Sequence, residues 1–185
     1  MNTRWCMGWA LMAVLLASAA LRAAEAARPE GLPEAAFTAL QASFPGATID
    51  EVEAERERGV PYFEVEMTHA GREVEVEVTA DGMIGEIETE VAAADLPTAV
   101  AAKAQEAAGG GRLGTAERHE VRGVPLYGTF AALAEPVVVY EIPFRSAVLR
   151  RKGTVVIRDN GEVVRVARGD DDGDEADDDE PGHQD

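Results

Sequence analysis

Arg72-Glu73-Val74-Glu75-Val76-Glu77-Val78-Thr79-Ala80-Asp81-Gly82 is the stretch that decides the fold. Val74, Val76 and Val78 alternate with Glu73, Glu75 and Glu77. A period of two sends the valines to one face of a strand and the glutamates to the other. One fully charged face means a sheet covered on one side only. Asp81-Gly82 then reads as a hairpin turn pair, with both central positions tolerating positive φ. Upstream, Phe63, Val65 and Met67 alternate with Tyr62, Glu64 and Glu66 in the same way. Before them, Ala36, Phe37, Leu40 and Phe44 recur at helical spacing. Pro33 suits the first turn of that helix, and Pro45-Gly46 ends it.

The same order recurs downstream. Leu32-Pro33-Glu34-Ala35-Ala36 is matched by Leu96-Pro97-Thr98-Ala99-Val100, and Arg58-Gly59-Val60-Pro61 by Arg122-Gly123-Val124-Pro125, at one common offset. Asp81-Gly82 is matched later still by Asn160-Gly161, so the second copy carries extra residues within 126–136. A shared offset with a shared order of elements argues for an internal repeat. Residues 97–108 form an Ala-rich second helix with few large side chains, expected to pack more weakly than the first. Residues 137–142, 154–158 and 162–167 are its strands. The expected fold class is α+β: two repeats of one helix followed by three to four antiparallel strands, with the helices packed on one face of the sheet.

The ends differ from the body. The 185 residues carry a formal charge of -18. Arg4, an apolar run over 10–16 and the small-residue site Ala24-Glu25-Ala26 have the layout of a secretory signal peptide. The alternative is a retained anchor over the uncharged residues 5–21, at the lower limit for a membrane span. Cys6 is the one cysteine and lies in this segment, so a mature chain has no disulfide and no thiol nucleophile. Residues 170–185 are an acidic tail. The domain reading is therefore 1–26 signal peptide, 27–92 first repeat, 93–169 second repeat with its insertion near 126–136, and 170–185 disordered tail. The remaining acidity gives no attraction for phosphate backbones, so nucleic acid is excluded as an expected partner. No membrane span is expected after signal cleavage. Localisation is read as periplasmic or secreted.

Leu-Pro-x-Ala at 32–35, the helix ending Phe44-Pro45-Gly46-Ala47, residues 49–53, 62–67 and 72–79, and Asp81-Gly82 together resemble the PepSY-like domain family. That family is similar in fold to β-lactamase-inhibitor-like proteins. The resemblance covers 32–90 well and 96–167 more loosely. It implies an exported binding or inhibitory module of the bacterial envelope and brings no catalytic residues with it.

The residues themselves point to no enzyme and no cofactor. Ser43 and Ser146 lie outside any G-x-S-x-G turn. His69, His119 and His183 show no H-E-x-x-H spacing and read as solvated surface residues. Asp170, Asp172 and Asp174 fit the first positions of a calcium loop, but Glu175 stands where glycine is required and Pro181 where the closing glutamate belongs. No metal site is assigned; weak calcium association with the tail stays open. Tyr127 and Phe130, in the least acidic stretch of the body, are the candidate partner-binding residues. A satellite core or a short extra helix is the alternative for that insertion. Arg150-Arg151-Lys152 is the one basic cluster, open to an acidic partner or to the tail. The expected partner is an envelope protein or peptide. A cation-responsive envelope protein acting through its tail is the alternative function. Lipid binding between helix and sheet, and an unrecognised hydrolase, complete the classes.

Overall fold

The computed structural model describes residues 27–169. The expected signal peptide over 1–26 and the acidic residues 170–185 lie outside the described residues. Among the described residues the fold is α+β, with two α-helices and one antiparallel sheet of nine strands. Helix α1 (Glu34–Ser43) is followed by β1 (Thr48–Glu57), β2 (Val60–His69), β3 (Arg72–Val78) and β4 (Ile84–Val91). Helix α2 (Thr98–Ala107) is followed by the short β5 (Arg112–Leu113), then β6 (Ala116–Leu126), β7 (Thr129–Arg145), β8 (Lys152–Arg158) and β9 (Val163–Arg168). The strand order is β1-β2-β3-β4-β6-β7-β8-β9, with β5 paired to β7. Pairing of β4 with β6, from Glu86 opposite Val121 to Val91 opposite Ala116, makes the sheet continuous.

Both helices cover the same face. Phe37 and Leu40 of α1 pack with Val65, Met67, Val74, Val76, Val78 and Ile87. Val100 and Ala104 of α2 pack with Tyr140, Ile142, Phe144, Val155 and Ile157. The helix partners in the second core are small, so the sheet supplies the bulk. Strand alternation then turns the glutamates between the core residues of β1–β4 to the uncovered face.

The turns correct the expectation about Asp81-Gly82 and Asn160-Gly161. Only the glycines have positive φ there, Gly82 at 88° and Gly161 at 87°. Thr79 N–H donates to Met83 O at 2.9 Å, and Arg158 N–H to Glu162 O at 2.8 Å, each closing a three-residue loop. The extra residue is absorbed by register shifts at Glu77/Val78 and Val156/Ile157. The two-residue turns with positive φ at both centres are Arg58-Gly59, Ala70-Gly71 and Tyr127-Gly128. At Gly82 a Cβ would come within 2.7 Å of Ala35 O, so helix α1 lies directly on this loop.

The insertion adds no helix and no separate lobe. Residues 126–136 form the tip of a long β6–β7 hairpin turning at Tyr127-Gly128. The matching tetrapeptides also part company. Arg58-Gly59 makes the β1–β2 turn, whereas Arg122-Gly123 sits inside β6 at a register shift.

Candidate functional site

The uncovered face is built from rows of directly opposed side chains. One row runs Glu51, Glu66, Glu75, Glu88, His119 and Val139 across six strands. The next runs Glu53, Glu64, Glu77, Glu86, Val121 and Val137. A third pairs Glu90 with Glu117 and Glu117 with Glu141. Like charges directly opposed on a sheet repel. The sequence tolerates this through most of the first four strands.

The electrostatic consequence is concentrated at Glu77. Partial burial pushes its carboxyl up to about 7, and Glu86, Glu57, Glu64 and Glu75 add repulsion. Burial also raises Glu75, with Glu88 and Glu66 adding to it. Glu88 rises by burial, opposed by His119, and Glu64 by burial and Glu75.

His119 stands at the centre of this face. Its Nδ1 lies 2.6 Å from Glu86 Oε1 and 3.3 Å from Glu88 Oε2. The hydrogen bond to Glu86 raises its pKa above the usual imidazole value, against desolvation. Nε2 is buried without a hydrogen-bond partner, 3.9 Å from Glu117 Oε2. The expectation of a solvated surface histidine is thus corrected: the ring is mostly covered and held between carboxylates. The signal available in the sequence was weak, because pairing of β4 with β6 brings these groups together from 33 positions apart. Glu86, Glu88 and His119 offer ligand atoms within 4.8 Å of one another, so they could hold a divalent cation.

The β6–β7 hairpin borders the same face. Tyr127 at its tip is 93% exposed, with Val124 and Leu126 exposed beside it. Tyr127 adopts a φ of 49°, unfavourable for a bulky residue. Phe130 is placed differently. It is half-buried, and its ring fills the space left by two glycines: a Cβ on Gly123 would meet it at 2.3 Å and one on Gly85 at 2.8 Å. The Cβ position of Gly59 lies 3.8 Å from Gly128 Cα, so the hairpin tip touches the β1–β2 turn. The arm therefore reaches over the end of the acidic face, beside Glu77, whose Oε2 is 3.5 Å from the Gly85 Cβ position.

This packing gives a double-mutant test. Gly123→Ala should cost about 1–3 kcal/mol by overpacking against Phe130. In a Phe130→Ala background the same change should cost clearly less by urea unfolding, the Ala131 carbonyl oxygen at 3.1 Å being the close contact that remains. Equal costs in both backgrounds would show that the ring does not rest on Gly123.

Of the other residues singled out, Ser146 is buried and its Oγ accepts the Leu149 N–H at 3.2 Å, a turn-forming role. His69 meets Phe44 edge to face at 5.6 Å between ring centroids. It lines a hollow on the helix-bearing face with Arg72, Arg118, Glu120 and Arg122. There Glu120 accepts from both Arg118 and Arg122 at 2.9 Å, and the Arg118 bond first, with Arg122 behind it, holds its carboxyl below the usual range. His183 lies outside the described residues.

Comparison with known proteins agrees with this architecture. Residues 15–82 match the PepSY family model, described as the peptidase propeptide and YPEB domain. A BLIP-like protein of Bacteroides fragilis shares the fold at a TM-score of 0.52 and 22% identity, over 75% of this chain and 90% of that one. A DUF2874 family protein of Bacteroides uniformis does so at 0.54 and 16%, over 74% and 88%. A Bacteroides eggerthii protein provisionally described as periplasmic does so at 0.53 and 17%, over 74% and 88%. No curated protein matches the sequence. Residues 15–82 are thus similar to the PepSY domain, and the chain shares its fold with a BLIP-like protein. No helix among the described residues is long and apolar enough to cross a membrane.

Proposed function

We propose that the chain is an exported, non-enzymatic binding or inhibitory module of the bacterial cell envelope, and that its uncovered glutamate face takes a basic segment of a protein partner. The carrying observation is that face itself. Row upon row of glutamates is opposed across the strands, with His119 held among them at the centre. Such a face costs folding stability, and violations of that kind concentrate at functional sites. A lysine- or arginine-rich segment would relieve the repulsion and be steered to the face from solution.

The exposed tip Tyr127, flanked by Val124 and Leu126, supplies an apolar anchor at the rim. Phe130 acts as the prop that fixes the arm. Two PepSY-like repeats, 27–92 and 93–169, are proposed to build the frame. In support, Gly82 packs on Ala35 of α1 and Gly161 on Ala99 of α2. The similarity to a protein provisionally placed in the periplasm supports the envelope location.

The test is capture from an envelope extract with residues 27–185 as bait, beside Glu75→Gln/Glu88→Gln and Tyr127→Asn baits. Asn suits a positive-φ turn position, so that change keeps the hairpin. The expected result is one saturable partner, held at least about tenfold more weakly by each variant, a loss of ~1.4 kcal/mol. Retention of the same partner at unchanged affinity by the Glu→Gln bait would overturn the reading.

A further inference from the structure

One corner of this acidic protein is basic. Arg112, Arg145, Lys152 and Arg168 line a hollow of ≈ 650 Å³. A second hollow of ≈ 390 Å³ shares Arg112 and Arg145 and adds Arg150. No aspartate or glutamate lines either one. Arg112 is the direct register partner of Arg145 on β5 and β7, and Arg145 of Lys152 on β7 and β8. Three cations thus stand opposed across three strands, an arrangement that repels as the glutamate rows do. All five cations are exposed. Among the described residues none of them makes an ion pair.

The described chain ends on this patch. Gly169 lines the larger hollow, and its N–H donates to Lys152 O at 3.0 Å. The next residues are Asp170, Asp171, Asp172, Asp174 and Glu175, and the segment 170–185 holds no lysine or arginine. Extended chain covers about 3.3 Å per residue, so residues 170–175 reach across the row of cations. We propose that the acidic segment 170–185 docks on the Arg112–Arg145–Lys152 row of its own chain. Each exposed pair contributes little by itself. The tether raises the effective concentration to the millimolar range, so several weak pairs suffice. Docked, the tail neutralises the row, and an outside polyanion must displace it.

Residues 27–185 hold no cysteine, so Ala176→Cys in that segment places one spin label in the tail. The readout is paramagnetic broadening of the amide of Arg150, which lines the smaller hollow and not the one that Gly169 lines. The expected result is strong broadening at low salt. It should be lost in ~1 M salt, where the screening length is about 3 Å. It should also be lost in Arg112→Gln/Arg145→Gln and in Asp170→Asn/Asp171→Asn/Asp172→Asn; the second variant leaves the folded body untouched. A mixed sample of spin-labelled unenriched chain and unlabelled enriched chain should show none. Absence of broadening at low salt, broadening indifferent to salt and both variants, or broadening that persists in the mixed sample would each overturn the proposal, the last in favour of a second copy's tail.

Discussion

Ile142→Ala is expected to lower the unfolding free energy by about 4 kcal/mol, near the upper end for burying one aliphatic side chain. Ile142 is fully buried under α2. The helix presents Val100 and Ala104 there, with Ala108 just past its end, and none of the three is large enough to swing into the space. A cavity that cannot collapse retains its full cost. Leu40→Ala, in the first core, should cost less, about 3 kcal/mol, because Phe37, Phe44 and Met67 surround it and can relax. Urea unfolding of both variants checks the order. A larger loss for Leu40→Ala would mean that the second core adapts better than its alanines allow.

The second large effect is a dependence on pH. Glu77 is raised from 4.5 to about 7 in the folded protein. A native group with a raised pKa holds its proton where the unfolded chain has lost it. Its contribution is full below 4.5 and is lost as pH rises through about 7. His119 is also raised, so its contribution is lost above the ordinary imidazole value. Glu75 and Glu88 act with Glu77. Glu120 has the opposite sign: its carboxyl is lowered, so its contribution is lost as pH falls below the usual glutamate value. Stability should therefore peak near about pH 5 and decline toward pH 8. Glu77→Gln should remove much of that decline. After allowance for the solvent Glu77 retains, the gain at pH 8 is about 1–2 kcal/mol, roughly 3–8 °C in Tm, with no gain at pH 5. Calorimetry at the two pH values reads it directly. A stability profile that rises from pH 5 to pH 8 would contradict the partial burial of Glu77 beside the hairpin arm.

What the sequence made legible was local. The Val74–Val78 alternation gave the strand and both its faces, and Ala36, Phe37 and Leu40 gave the buried side of α1. Gly82 and Gly161 marked hairpins, although each sits in a three-residue loop whose length is set by a register shift rather than by composition. What stayed hidden was long-range. Nothing in the strand from 116 to 126 says that it pairs with β4, and only that pairing places His119 beside Glu86 and Glu88. Phe130 read as an exposed anchor because its partners are glycines, whose missing side chains make the pocket but leave no hydrophobic signal. Tyr127 was legible as an aromatic and not as a strained turn residue, since its φ follows from the hairpin register.

The most direct measurement of the central claim is a map of where a basic ligand lands. Isotope-enriched residues 27–185 would be titrated with a short lysine- and arginine-rich peptide, and then with the captured partner, while backbone amide shifts are followed. The account predicts saturable shifts centred on Glu75, Glu77, Glu88 and His119 and extending to Tyr127, weakening as salt rises. Shifts confined to the acidic tail, or a partner whose footprint falls on the helix-bearing face, would contradict it.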